Sequence, residues 1–166
     1  FHHAYAGHGE GFCLYNDIAV AVRALRAEGV VKRVAVIDLD VHHGNGTAVI
    51  FAEDDDVLTF SMHQQNNYPL VKPPSDLDVG LQDGTEDGQY LDLLERALAD
   101  VLGEPAPEFI VYLAGADPYE HDQLGGLSLT LEGLRRRDRM VLERAVERRI
   151  PIAVLMAGGY AYELDD

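Results

Sequence analysis

Two aspartates and a histidine in this sequence have the spacing of a metal site. Asp40 and His42 follow an apolar run, and residues two apart in an extended segment point to the same side. Asp117 follows another apolar run and adds a third ligand if the two runs lie side by side. Three protein ligands with an open fourth position are typical of catalytic zinc. A hydrogen-bonded turn would explain Asp40 and His42 alone, but Asp117 and the flanking glycines favour the metal site.

Two further features carry groups that transfer or donate protons. His2 and His3 are adjacent, and a histidine pair beside a metal is typical of acid–base catalysis because imidazole titrates near neutrality. Alone, the pair is equally consistent with a tag remnant or a surface position. Tyr160 follows two glycines, which allow a close approach to a ligand, so its phenol could donate to an oxyanion. Alone, it is better explained as a partly buried core tyrosine.

Alternating strand and helix patterns position these groups. Apolar, β-rich runs predict buried strands at 34–37, 57–60, 109–113 and 152–156. Helical spacing predicts three helices, which end near Glu28, Gly103 and Arg149. Asn16 and Thr85 are the predicted caps of the first two, and the third follows Thr130. This order predicts an α/β fold with three α/β/α layers and a mostly parallel sheet. Ligands bind such sheets beyond the carboxyl ends of the strands, where the residues named above lie.

Two further segments are characterised by their composition and charge. The Pro-, Asp- and Gly-rich stretch 66–84 predicts a long loop, and such loops are often functional. The three arginines at 135–137 predict the solvated face of the third helix.

Length and composition predict one globular domain. The chain has 166 residues, 13 basic and 29 acidic, which gives a net charge of −16. This acidity disfavours nucleic acid as a partner. It could steer a cationic substrate, although an acidic surface more often only keeps a protein soluble. We find no apolar run long enough for a membrane span and no signal peptide, and the single cysteine, Cys13, suits a reducing cytoplasm. Both ends fall within structural patterns, so we expect a chain truncated at both ends.

The run Asp-Leu-Asp-Val-His-His-Gly-Asn-Gly-Thr at 38–47 resembles the metal-binding signature of histone deacetylases, acetylpolyamine amidohydrolases and acetoin-utilisation proteins. The resemblance covers nearly the whole chain, because further motifs follow in the family's order at 2–4, 11–16, 114–117, 125–127 and 158–160. The segments 84–87, 122–127 and 149–151 look most like those of class IV histone deacetylases. The resemblance implies an arginase/deacetylase-like fold, with residues 1–166 as a single, partial deacetylase domain.

The resemblance also implies a role for each site residue. The implied metal ligands are Asp40, His42 and Asp117. The implied catalytic residues are His2, His3, Asp38, Asn45 and Tyr160. The implied substrate-binding residues are Gly11, Phe12, Tyr68, Leu124 and Gly158. Asp38 would orient His2, whereas Asn45 replaces a class I aspartate behind His3. Because Asn45 carries no full charge, we expect His3 to be less basic than its class I counterpart.

The function implied by the resemblance is zinc-dependent hydrolysis of acetyl or longer acyl groups from lysine side chains or related amines. Iron(II) is the alternative cation, and Asp38, His42 and Ser61 resemble part of a structural potassium site. The substrate would be an acylated protein, peptide or polyamine, and the loop after Tyr68 departs from the usual family pattern. A two-manganese ureohydrolase shares the fold but needs more bridging carboxylates. A non-catalytic acyl-lysine-binding module is the third hypothesis, although the retained ligands, histidine pair and tyrosine argue against it.

Overall fold

The computed structural model describes residues 1–163, which contain five strands in one parallel sheet. The strands are β1 (Val34–Asp38), β2 (Val57–Gln64), β3 (Leu77–Leu81), β4 (Phe109–Ala114) and β5 (Ile152–Met156), in the order β3-β2-β1-β4-β5. In this register Asp38, at the end of the central strand, lies opposite Ser61 of β2 and Leu113 of β4. The carboxyl ends of β1 and β4 are therefore neighbours, and the predicted α/β fold is confirmed.

Four helices accompany the strands within the described residues, and the first of them precedes β1. They are α1 (Asp17–Ala27), α2 (Asn45–Phe51), α3 (Asp87–Val101) and α4 (Leu131–Arg148). Asn16 caps α1 as predicted, and Thr130 caps α4, because their side-chain oxygens accept from backbone amides of the first turn. The prediction for Thr85 is wrong. The N-cap of α3 is Glu86, and the Thr85 hydroxyl donates instead to the carbonyl of Gln82 at 2.7 Å.

Three other local predictions need correction. The stretch 66–84 is not a continuous loop, since it contains β3, an edge strand that pairs in parallel with β2. The alternation of Leu77, Val79 and Leu81 was an available strand signal, but the intervening Asp78 and Gly80 are uncommon in strands. The short helix α2 was not predicted, because its first residues belong to a Gly-Asn-Gly run. Arg137 is not on a solvated face, since its side chain is buried under the sheet's carboxyl edge.

Both faces of the sheet are covered, which gives the predicted three layers. On β1, Ala35 and Ile37 belong to the larger apolar cluster, which contains α3 and α4. Val34 and Val36 belong to a second cluster with α1 and the end of α2. This alternation follows from the two-residue period of a strand. Within residues 1–163 the structure contains no helix with the length and apolar character of a transmembrane segment.

Candidate active site

Asp40, His42 and Asp117 converge just beyond the ends of β1 and β4. The Nδ1 atom of His42 lies 3.0 Å from Oδ1 of Asp40 and 3.2 Å from Oδ2 of Asp117. One ligand atom from each residue lies within 4.8 Å of the other two, and all three side chains are buried. The backbone amides of Gly158 and Val41 donate to Asp40 and Asp117 at 2.7 and 2.8 Å. The structure thus brings together the three residues predicted as ligands.

The electrostatics of this cluster suit a divalent cation. Burial and the negative charge of Asp40 both raise the pKa of Asp117. Burial opposes a charged His42, but Asp117 and Asp40 outweigh it and raise its pKa to about 10. Two crowded carboxylates therefore attract positive charge to one point. Carboxylate oxygen and imidazole nitrogen are ligands that zinc and iron(II) accept, so the residues fit the implied metal.

Glycine is required where two other segments approach the cluster. A Cβ on Gly158 would lie 2.0 Å from Oδ2 of Asp117, and one on Gly115 would lie 2.8 Å from Cα of Asp40. Both contacts are shorter than a side chain tolerates, so any larger residue would displace a predicted ligand. Close backbone approach is thus the physical reason for the glycines that follow β4 and β5.

The histidine pair divides into one charged and one neutral ring. The rings of His2 and His3 have centroids 4.0 Å apart, and their Nδ1 atoms lie 2.6 Å from Asp38 and 2.7 Å from Asn45. Burial opposes a charged His2, but Asp38 and Asp40 outweigh it and raise its pKa to about 9. Burial and the charge of His2 lower the pKa of His3 to about 4. Opposite pKa shifts in two neighbouring titratable side chains are typical of a general acid and a general base that act together.

A cavity of about 610 Å³ leads to these groups. The predicted substrate-binding residues all line it, and so do most of the predicted catalytic and ligand residues: Gly11, Phe12, Tyr68, Leu124, Gly158, His2, His3, Asp40, His42 and Tyr160. The remaining three, Asp38, Asn45 and Asp117, are buried and hold or accompany cavity residues.

Two tyrosines, Tyr68 and Tyr160, line this cavity. The ring of Tyr68 meets His3 edge-on, with centroids 4.9 Å apart. Burial and the charges of Asp40 and Asp117 raise the pKa of Tyr160. The Tyr160 phenol therefore keeps its proton at neutral pH and is able to donate it in a hydrogen bond.

Sequence reasoning missed two carboxylates that organise the site. Asp122 accepts from the backbone amides of Tyr160 and Leu124 at 2.6 and 2.8 Å, and so ties two sides of the cavity together. Its place two residues before Leu124 matches an Asx turn, which was an available signal. Glu10 accepts from Asn45 Nδ2 at 3.0 Å and from the Tyr68 hydroxyl at 2.6 Å. A lone glutamate between glycines gives no comparable signal.

A second group of possible ligands consists of His43, His63 and Asp78. Nε2 of His43 lies 3.2 Å from Oδ1 of Asp78, and Nδ1 of His63 lies 3.0 Å from the Ser61 hydroxyl. These contacts engage one nitrogen of each histidine, whereas the buried Nδ1 of His43 has no hydrogen-bond partner among the described residues. Because Ser61 is engaged with His63, the structural potassium site stays a prediction.

Known proteins are similar to this chain over nearly its whole length. The sequence model of the family described as the histone deacetylase domain matches residues 1–165. An uncharacterized protein of Picosynechococcus sp. is 45% identical over 99% of this chain and 55% of its own length. A probable deacetylase of Archaeoglobus fulgidus is 36% identical over 98% of this chain and 48% of its own.

The fold is similar to solved structures as well. The crystal structure of an acetylpolyamine aminohydrolase from Burkholderia pseudomallei superposes with a TM-score of 0.83 at 32% identity, over 96% of this chain and 48% of that one. The chain therefore spans about half the length of the proteins that it matches.

Proposed function

Since the chain belongs to the histone deacetylase domain family, as its motifs predicted, we propose that it carries the catalytic centre of a metal-dependent amidohydrolase. The reaction is removal of acetyl or longer acyl groups from lysine side chains or related amines. One observation carries this proposal: a two-carboxylate, one-imidazole cluster, a histidine pair with opposite pKa shifts and a protonated phenol all border one cavity.

Asp40, His42 and Asp117 are the residues that would hold zinc, with iron(II) as the alternative. Such a cation supplies Lewis acidity, which polarises an amide carbonyl and makes a water molecule more acidic. The remaining chemistry belongs to side chains of this chain.

His3 is the proposed general base. Its ring is neutral because burial and His2 keep its pKa low, and its Nδ1 faces Asn45, which leaves Nε2 for a water molecule. The charged His2, held by Asp38, favours the negative charge that develops on the substrate. Tyr160 donates a hydrogen bond to the developing oxyanion, and the histidine pair returns the proton to the leaving amine.

The substrate class is inferred from charge and from relatives. A net charge of −16 favours a cationic partner, such as a basic acylated peptide or an acylated polyamine. The similar Archaeoglobus and Burkholderia proteins, a probable deacetylase and an acetylpolyamine aminohydrolase, support an amide of this kind. Phe12 and Tyr68 border the route that an extended acylated chain would follow.

The proposal is tested with the intact protein in a deacylation screen over acetyl-lysine peptides, long-chain acyl-lysine peptides and acetylpolyamines. We expect release of the free amine from at least one class, loss of this activity with a chelator and recovery with zinc or iron(II). Binding of acyl-lysine without hydrolysis by the metal-loaded protein would support the binding module instead. Two metal ions per chain together with guanidine hydrolysis would support the ureohydrolase.

Tyr160→Phe is expected to lower kcat by about 10²–10³-fold, with little change in KM, because it removes one donor to the oxyanion. Steady-state kinetics on the best substrate of the screen measures this. Tyr162→Phe makes the same change at an exposed tyrosine outside the cavity lining and serves as the control. Unchanged turnover in Tyr160→Phe would remove Tyr160 from the mechanism.

A further inference from the structure

Glu10 lies at one end of a chain of hydrogen bonds that leads to His3. Oδ1 of Asn45 lies 2.7 Å from Nδ1 of His3, and Nδ2 of Asn45 donates to Oε1 of Glu10 at 3.0 Å. The Tyr68 hydroxyl donates to the same carboxylate oxygen at 2.6 Å. A single acidic group thus contacts both the partner of His3 and a wall of the cavity.

This arrangement determines which way the Asn45 amide faces. An amide side chain offers an oxygen on one side and an NH2 group on the other, and the two can exchange by a flip. An ionised carboxylate only accepts hydrogen bonds, so Glu10 requires the NH2 group on its side. The Asn45 oxygen must then face His3, whose Nδ1 has to carry the proton. Nε2 of His3 is left as the basic nitrogen.

Burial makes the orientation of Asn45 consequential. Asn45 is 1% exposed and His3 is 5% exposed, so water does not readily replace a lost partner. Without Glu10, the Tyr5 hydroxyl, 3.2 Å from Asn45 Nδ2, would remain as a neighbour. A hydroxyl both donates and accepts, and it would therefore satisfy either orientation of the amide.

We propose that Glu10 is a positioning residue, which fixes the Asn45 amide and through it the tautomer of His3. Asn45 carries no negative charge. Glu10, which is hydrogen-bonded to Asn45 and directly precedes Gly11 and Phe12, supplies that charge one hydrogen bond further from His3. The inference rests on the proposed function, in which His3 acts as the base. Glu10 also contacts Tyr68 directly and His3 through Asn45. It therefore fixes the position of this cavity wall relative to the base.

Exchange of the charge between the two positions tests the inference. Asn45→Asp alone places two carboxylates about 3 Å apart, and like charges at that distance cannot both remain ionised without a cost. We expect kcat to fall by about 10–100-fold, the usual range for loss of a group that orients a metal-site residue. Adding Glu10→Gln restores an amide–carboxylate pair in reversed order, and we expect kcat of the double variant to return to within about 3-fold of the original.

Glu53→Gln is the matched control, because it removes one negative charge from an exposed turn and should leave kcat unchanged. Tautomers of His3 supply a readout that does not depend on turnover. In ¹⁵N NMR spectra of the intact metal-free protein, we expect the Nδ1–H tautomer in the original sequence and a mixture of tautomers in Glu10→Ala.

The outcomes separate the inference from the proposed function. A wild-type protein that hydrolyses no acylated amine contradicts the function, while the NMR comparison still decides the role of Glu10. Activity in Asn45→Asp equal to wild type, no gain in the double variant, or one His3 tautomer in Glu10→Ala would each overturn the inference. If Asn45→Asp unfolds and the double variant folds, the reciprocal rescue appears in thermal stability and supports it. If both unfold, Glu10→Ala decides.

Discussion

Asp117→Asn is expected to lose the bound metal and to lower kcat/KM for amide hydrolysis by about 10³-fold or more, since a catalytic cation supplies several kcal/mol of transition-state stabilisation. Asparagine keeps the shape of the side chain and an oxygen for the Val41 amide, but it removes one of only two negative charges in the cluster. His42 and Asp40 then remain as the two charged members of the cluster.

The same substitution should not damage the metal-free fold. Burial and Asp40 raise the pKa of Asp117, which means that its charged form is disfavoured where it lies. A neutral amide relieves that repulsion, so we expect the thermal midpoint in chelator to be unchanged or higher. The metal-loaded variant should gain less stability than wild type, because stabilisation by a ligand grows with its affinity.

Two measurements check these expectations. Mass spectrometry gives the metal content after gel filtration, and thermal unfolding with and without chelator gives the stability. Asp55→Asn is the control, because Asp55 is exposed in the turn before β2 and lies outside the cavity lining. One equivalent of metal and near-wild-type turnover in Asp117→Asn would remove Asp117 from the ligand set and leave the proposed hydrolase without its centre.

The metal ligands could be placed from sequence because the rule behind them is topological. Apolar runs before Asp40 and Asp117 predicted strands, and the strand–helix alternation made the strands parallel, so their following residues had to meet at one edge. Edge strand β3 was missed because it is short and its Asp78 and Gly80 are uncommon in strands, although Leu77, Val79 and Leu81 alternate as in a strand.

Contacts between side chains that are far apart in the sequence could not be predicted from the order of strands and helices. Glu10 and Arg137 have the local sequence context of solvated charges, and each becomes a site residue only through partners far along the chain. Local signals such as residue propensity, hydrophobic period and capping contain no information about such distant partners. A buried charge is recognised only when the fold shows that no water surrounds it.

Arg137 is the clearest case. Its Nη1 atom donates to the carbonyl of Gly115 at 2.6 Å and lies 3.4 Å from that of Leu39, and its Nε donates to Asp138 at 2.8 Å. Leu39 directly precedes the ligand Asp40, and Gly115 comes two residues before Asp117. One buried guanidinium on α4 thus joins the two strand ends that carry the predicted ligands, and it satisfies carbonyls that water does not reach.

Arg137→Met is expected to lower the free energy of unfolding by about 3–5 kcal/mol, because a buried charged donor is lost and its carbonyl partners are left unpaired. Methionine fills a similar volume, so the loss reports on hydrogen bonds more than on a cavity. Arg136→Met, one residue earlier on the exposed side of α4, should change the same quantity by less than about 0.5 kcal/mol. Urea unfolding monitored by circular dichroism measures both.

We expect Arg137→Met to change metal binding at the site as well as the stability of the fold. If the guanidinium holds the ends of β1 and β4 together, Arg137→Met weakens metal affinity even at temperatures where the variant is fully folded. Arg137→Lys keeps the charge but not the planar fork, and its single ammonium cannot reproduce the same set of bonds, so an intermediate loss is expected. Equal stability of the Met variants at 136 and 137 would show that the buried arginine holds neither strand end.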